Sequence, residues 1–399
     1  MAIKRIVILS QYFPPEMGAP QSRLFETALG LKQYGWDVIV VTAMPNYPTG
    51  KVFDAYKGKF SSKETIEGIT VYRYTLYASN AKKALPRIIS MLSFSMTAFC
   101  SLFKVRKFKP DYIFTESPPL TLALSGLMLS KLSGARHVMN VSDLWPLSAF
   151  ELGAISKGFL YNRLEGLERF LYKKSFACIG QSQQIVTQLA ERGSKRTHLF
   201  RNGVYMKRFE RSAPLATKTG DKLRIVYAGL LGVAQGIYDI CRNIDFSKLD
   251  TEFHIYGDGA EKQEIIQYLN DNKDRGIFLH TPVKRDMVPE TIMQYDVTII
   301  PLIKPIYGAV PSKIYEAMAA GLPIIFTGGG EGAEIIAEYK TGWVCDPSAF
   351  EAMINKIREI TLMDKMQLAE IKSNCINAAT NVFNRDKQIE KLHLFLLNA

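Results

Sequence analysis

Short apolar runs alternate with helix-period segments along most of the chain. "KRIVILSQYFPPEMGAP" reads as a buried strand that ends in a Pro/Gly loop. "QSRLFETALGLKQYG" follows with Leu24, Ala28, Leu31 and Tyr34 on one helical face. "DVIVVTA" is the next strand, and the rhythm continues through "YIFTES", an apolar helix over 120–132 and "RHVMNVSD". After "RNGV" (201–204) a second series begins, with strands "RIVYAG", "EFHIYGDG", "GIFLHTP", "DVTIIP" and "PIIFTG". Strands alternating with helices predict α/β architecture built on parallel, doubly wound sheets. Asn202-Gly203 signals a turn at the junction, and the polar stretch 205–222 reads as a linker between two Rossmann-like halves.

In such sheets ligands bind beyond the carboxyl ends of the strands. The loops "PPEMGAP", "GLLGVAQG" (229–236) and "GDG" (257–259) all fall there. Their glycines let backbone approach phosphate oxygens, and the helix N-termini behind them favour anions. "PSKIYEAMAAGLP" (311–323) adds a helix whose start Ser312 can cap and which Gly321 and Pro323 stop. Lys313 stands in its first turn, where the dipole prefers an anion. A cation fits there if a diphosphate binds beside it, with Glu316 one turn deeper accepting hydrogen bonds from ribose hydroxyls. The plain alternative is a solvated lysine and a dipole-favoured acid.

Composition narrows the choice. The 399 residues, 47% hydrophobic and 22% charged, describe a globular chain long enough for two domains. Five scattered cysteines without a CxxC pair point to a reducing compartment. Five histidines show no metal-ligand spacing, so no metal site is expected. The net charge of +12 is uneven: residues 1–200 hold 26 basic against 13 acidic side chains, and residues 201–399 hold 24 against 25. An anionic surface should therefore face the first half. No basic motif with interleaved aromatics supports nucleic acid as a partner. Residues 88–103, "IISMLSFSMTAFCSLF", form a sixteen-residue apolar run just short of a membrane span. Lys82, Lys83, Arg87, Lys104, Arg106, Lys107 and Lys109 flank it, as suits an interfacial helix on anionic lipid, although a core helix with solvated ends has the same pattern. The N-terminus reads as a strand and not as a signal peptide.

"PSKIYEAMAAGLPII", "HIYGDG", "RNGV" and "PPEMGAPQSRLFETALGLKQYGWDVIVVT" together resemble glycosyltransferase family 4, nearly end to end. "VSDLWP" (141–146) resembles the branch that builds bacterial surface polysaccharides, including N-acetyl-fucosaminyl transferases of O-antigen and capsule assembly. The resemblance implies a GT-B fold: two Rossmann-like domains facing across a cleft, over 1–200 for the acceptor and 201–375 for the nucleotide sugar. A C-terminal helix in 376–399 would pack back on the first domain.

It also implies a retaining, metal-independent transfer from a UDP-sugar to a polyprenyl-diphosphate-linked saccharide, with no cofactor, at the cytoplasmic face of the membrane. Asp143 and Lys313 are then the candidate catalytic residues. Gly18, Gly229, Gly232, Gln235, Gly257, Asp258, Gly259, Val283, Gly308, Ala309, Val310, Pro311, Ser312 and Glu316 would join Lys313 in holding the donor, with Val283 against the base. The chain departs from the family at Gly308, where an acid is usual, and at Leu230 and Gln235, where the family has cations. Near Ser142 the family has a histidine. Lys313 is thus the main candidate for the leaving diphosphate. Asp143 would orient the acceptor or the sugar, or accept a proton; alternatively it is a plain loop carboxylate. A UDP-N-acetylglucosamine 2-epimerase-like enzyme and a non-catalytic sugar-nucleotide-binding protein are the competing readings.

Overall fold

The computed structural model describes residues 3–81, 84–210, 222–303, 306–347 and 349–398. Two compact units emerge, one of residues 1–201, 306–308 and 388–399, the other of 202–305 and 309–387.

The first unit is built on eight strands: β1 (Arg5–Ser10), β2 (Asp37–Ala43), β3 (Ser61–Ile66), β4 (Ile69–Tyr74), β5 (Tyr112–Ser117), β6 (Arg136–Val141), β7 (Ala177–Gly180) and β8 (Thr197–Leu199). Their order is β3-β4-β2-β1-β5-β6-β7-β8, parallel throughout except for β3 against β4. The central strands are fully buried, as their unbroken apolar runs require. Helix α1 (Ala19–Gln33) follows β1 and buries Leu24, Ala28 and Leu31. Tyr34 departs from the expected face: it is the C-cap, 41% exposed, and stacks on His393.

The apolar run extends further than sequence suggests. Helix α2 (Ala84–Ala98), a single 3₁₀ turn and α3 (Leu102–Phe108) continue one another. Together Leu85–Phe108 make a 24-residue stretch, long and apolar enough by length and composition to cross a membrane. Its inner face belongs to the unit's core: Phe94, Ala98 and Val105 are fully buried. Ser95 bonds Thr121 on helix α4 (Leu120–Ser133), at 2.9 Å. The outer face carries Leu85, Ile88, Ile89, Leu92, Met96 and Phe103, all exposed. At 100° per residue these six lie on one stripe. Arg87, Lys104, Arg106, Lys107 and Lys109 are exposed along its length; Lys82 and Lys83 lie outside the described residues.

The second unit has six parallel strands: β9 (Leu223–Leu230), β10 (Thr251–Asp258), β11 (Ile277–His280), β12 (Val297–Pro301), β13 (Ile324–Thr327) and β14 (Gly342–Cys345). Their order, β11-β10-β9-β12-β13-β14, reverses between β9 and β12. The part of the proposed linker that is described, 205–210, is structured: Lys207–Glu210 is a short helix whose Phe209 joins the core. Helix Lys365–Asn381 packs within this unit, burying Cys375, Ala378 and Ala379, so a boundary at 376 is not observed. After that helix the chain returns to the first unit at Gln388, inside helix Arg385–Asn398. There Ile389 packs on Gly30, and Trp36 Nε1 donates to His393 at 2.8 Å.

Candidate functional site

Where the strand order of the second unit reverses, the ends of β9 and β10 and the helix after β12 enclose a recess of about 410 Å³. Its walls include Gly229, Leu230, Gly257, Asp258, Val283, Ser312, Lys313 and Glu316. Helix Ser312–Ala319 delivers the last three. Pro311, extended at φ −60° and ψ 127°, occupies the N-cap position, so Ser312 is the first helical residue and does not cap the helix through its side chain.

Lys313 folds back over the end of β9. A Cβ on Gly229 would stand 2.3 Å from Lys313 Cε and 2.4 Å from Nζ. Only glycine leaves that space, and its φ of 155° suits no other residue. The ammonium lies over the Tyr227 ring at 5.4 Å from its centroid. Among the described residues no carboxylate reaches ion-pair distance of Nζ. Burial pushes the Lys313 pKa down, and Glu316 offsets this only through space. Glu316 itself has Arg208 at 4.0 Å. The recess thus presents a cation lacking an anion at a helix N-terminus, and a carboxylate one turn away.

The "GDG" glycines also hold two loops close together. A Cβ on Gly257 would meet Gly229 O at 2.2 Å, and one on Gly259 would meet Leu231 O at 2.3 Å. They let the loops after β9 and β10 pack together, with Leu231 N donating to Asp258 O at 2.9 Å. Asp258 accepts from Gly259 N at 2.9 Å and pairs with Lys262, which shapes the turn.

Gly232, Gln235, Gly259, Ala309, Val310 and Pro311 do not line the recess. Gly308 sits with the first unit, its N–H donating to Gln184 Oε1 at 3.1 Å and its Cα packed near Ile185. Gly18 is also in the first unit, as the N-cap of α1 in extended conformation. Sequence reasoning missed Ala228, Tyr256, Pro282, Arg285 and Val288, which complete the lining. Arg285 follows two residues after Val283, and its carbonyl accepts from Arg208 at 2.9 Å.

Asp143 belongs to the first unit, in the loop after β6, one strand over from where that sheet's order reverses between β1 and β5. It is exposed to solvent, yet desolvation by neighbouring groups raises its pKa, against which Arg23 works. Beneath it Arg23 contacts Glu116, donates to Ser142 Oγ at 2.7 Å and to Gln181 Oε1 at 3.0 Å. Gln181 Nε2 also donates to Ser142 Oγ, at 2.8 Å, and Asn140 to Glu116 at 2.5 Å. Glu116 is therefore a structural acid, and Arg23 is committed to it.

Comparisons with known proteins agree with this architecture. Residues 18–203 match the family described as glycosyl transferase 4-like domain, and residues 222–362 match glycosyl transferases group 1. A relative named for colanic acid biosynthesis, the glycosyl transferase WcaI of Escherichia coli (strain K12), is 25% identical over 383 residues, 90% of this chain and 93% of its own. The sucrose-phosphate synthase of Thermosynechococcus elongatus is similar in fold, with a TM-score of 0.75 at 16% identity, over 99% of this chain and 98% of that one. So is the Anabaena protein HepE solved in complex with UDP, with a TM-score of 0.71 at 14% identity, over 99% of this chain and all (100%) of that one.

Proposed function

Since the chain belongs to glycosyltransferase family 4 and has the GT-B fold, we propose that it moves a sugar from a UDP-sugar to a lipid-linked saccharide acceptor during surface-polysaccharide synthesis. The single observation that carries the donor assignment is Lys313: a half-buried ammonium with no carboxylate partner among the described residues, set with a helix N-terminus at a recess that also holds Glu316. A nucleoside diphosphate supplies what each group lacks. The diphosphate answers Lys313 and the first-turn N–H groups. The ribose hydroxyls answer Glu316, and Val283 stands where the base would lie. The relatives named for colanic acid biosynthesis and for binding UDP support the same reading.

Sugar transfer passes through an oxocarbenium-like state. Its rate depends on stabilising the charge that builds on the leaving diphosphate, for which a preorganised cation and N–H donors suffice. In this reading no metal or other cofactor is called for. Transfer is retaining: the acceptor hydroxyl attacks the anomeric carbon from the leaving-group side, its proton passes to a diphosphate oxygen, and UDP departs. Asp143 orients the acceptor or the sugar. An N-acetylated hexosamine-type sugar, and O-antigen or capsule as the product, follow from the "VSDLWP" branch resemblance.

The outer stripe of α2–α3, apolar and flanked by Lys104, Arg106, Lys107 and Lys109, fits an anionic membrane surface at the cytoplasmic face. Calorimetric titration with UDP, GDP and their sugars, followed by product analysis with a prenyl-diphosphate acceptor, tests the proposal. UDP-sugar turned into an epimer without acceptor would replace it by the epimerase reading; absence of any nucleotide binding would end it.

A further inference from the structure

Beside the donor recess, one face of β10 and β11 carries polar aromatic chemistry that the donor assignment leaves unused. Glu252, His254 and Tyr256 alternate along β10 and so share a face. Phe278 and His280 of β11 stand in register with His254 and Tyr256 respectively. Each cross-strand pair stacks: His254 on Phe278 with centroids 4.9 Å apart, and Tyr256 on His280 at 4.3 Å. The two histidines close the diagonal, with His254 Nδ1 2.9 Å from His280 Nε2. His254 is buried, and its other nitrogen, Nε2, lies 3.1 Å from Glu252 Oε2.

The carboxylate fixes the tautomers. An ionised carboxylate only accepts, so His254 Nε2 carries its proton and His254 Nδ1 is bare. His280 Nε2 must then donate, which leaves His280 Nδ1 as the open end of the relay. Among the described residues that nitrogen has no hydrogen-bond partner. It can take a proton from solvent without breaking any bond of the relay. A second proton would set two donors against each other at 2.9 Å, so the relay holds one. Of the charged groups facing it, Glu252 favours the added proton. Arg224 opposes it, reaching in from β9 and lying over the Tyr295 ring at 4.7 Å. Asp296, next to Tyr295, accepts from Arg224 N at 3.0 Å. Desolvation is the first cause lowering both imidazole pKa values, which keeps the pair neutral at pH 7 in the free protein.

Tyr256 ties this relay to the recess. Its ring lines the recess, stacks on His280, and is held at its tip by a 2.7 Å hydroxyl contact with Tyr295. Pro282 and Val283, just beyond His280 in the chain, line the recess too. A polyanion in the recess favours positive charge behind its wall, and an imidazolium on the face of a tyrosine ring is itself a favourable pair.

We propose that Glu252, His254 and His280 form a positioning relay for the nucleotide, holding Tyr256 at the wall and taking up one proton at His280 Nδ1 when a nucleoside diphosphate binds. The assignment rests on the donor reading above and adds to it a proton linked to binding.

Calorimetry of UDP binding in buffers of differing ionisation enthalpy counts the protons taken up. It is run on the full chain at pH 6 and pH 8, for the wild type and for His280→Phe. The phenyl ring keeps a partner for Tyr256 but takes no proton. The phosphate of UDP titrates alike in both experiments, so the difference belongs to the relay. At pH 6 the wild type should take up more protons than the variant, and at pH 8 the two should agree. The bound anion raises the pKa of the relay, so the gain appears as pH falls. The affinity ratio of wild type to variant should accordingly rise about threefold or more from pH 8 to pH 6. Histidine Cε1–H resonances of the wild type give a second reading that does not depend on the variant folding: at least one should titrate with a higher midpoint when UDP is present. Equal proton uptake at pH 6, or midpoints that UDP leaves unmoved, would overturn the relay while UDP binding itself stands. Absence of UDP binding at both pH values would end the donor reading, and this one with it.

Discussion

Lys313 occupies the space that a side chain on Gly229 would need, its Cε 2.3 Å from where a Cβ would stand. The glycine at the end of β9 therefore serves less to admit phosphate than to let the lysine lie flat over the strand and reach the recess. Gly229→Ala should displace the ammonium and strain a backbone held at φ 155°. UDP affinity and turnover should both fall, and Lys313→Ala added to it should cost little more. A double mutant whose losses simply add would show that the two residues act independently.

Glu316→Gln should weaken UDP binding, because a neutral amide accepts ribose hydrogen bonds less strongly; bonds to a charged group contribute about 1.5–3 kcal/mol each. Arg208, 4.0 Å away, would lose this carboxylate at the same time. Comparing UDP with 2′,3′-dideoxy-UDP separates the two effects. The variant should discriminate less between them than the wild type does, and equal discrimination would remove Glu316 from the ribose.

Replacing Lys104, Lys107 and Lys109 with Ser should lower affinity for phosphatidylglycerol vesicles by roughly 1 kcal/mol per charge. All three are exposed and none lines the recess, so turnover of a short soluble acceptor should not change. Vesicle sedimentation reads the first effect, and unchanged sedimentation would leave the stripe of α2–α3 as a plain surface of the fold.

His137 gives a pH dependence with a definite sign. It is 2% exposed, between Ser175 Oγ at 2.9 Å and Thr115 Oγ1 at 3.2 Å, and burial lowers its pKa to about 3. The unfolded chain takes up this proton near the ordinary value of about 6.5. Its contribution to stability is thus complete above that pH and is lost as pH falls towards 3, by at most about 1.4 kcal/mol per pH unit. Urea midpoints from pH 7 to pH 5 should fall less steeply for His137→Gln than for the wild type. Parallel slopes would mean that the imidazole is protonated inside the fold.

The strands that carry both sites were legible because each has a buried apolar centre and ends in turn residues. The β3–β4 hairpin was not: "SSKETI" is half exposed along its length and leaves no such run. That Lys313 and Glu316 share one recess could be read because it depends on spacing within one helix. Arg285 reaches the recess only through the way the segment after β11 folds back, which no local pattern records. The same holds for Arg23, whose partners Glu116 and Ser142 lie 93 and 119 residues away. Ser312 misled for a local reason: a serine after proline looks like a cap, but Pro311 already holds the extended conformation that the cap position needs.

Lys313 bears the heaviest expectation. In the free protein its ammonium is half-buried at a helix N-terminus and has no carboxylate partner among the described residues, so desolvation works against its charge. When diphosphate binds, the same cation becomes the nearest compensation for the charge that grows on the leaving group. Lys313→Ala should therefore lower turnover by about 10²–10³-fold, the size of losing one preorganised donor. Thermal stability of the free protein should be unchanged or higher, since an unfavourable charge is gone. Lys313→Arg should recover only part of the rate: a planar fork cannot lie across Gly229 as the slender lysine stem does. The signature is the opposite sign of the two effects, slower catalysis with equal or better stability. Near-normal turnover of Lys313→Ala at saturating donor would move the leaving-group role to another cation, and Arg285, already at the wall of the recess, is the first to replace.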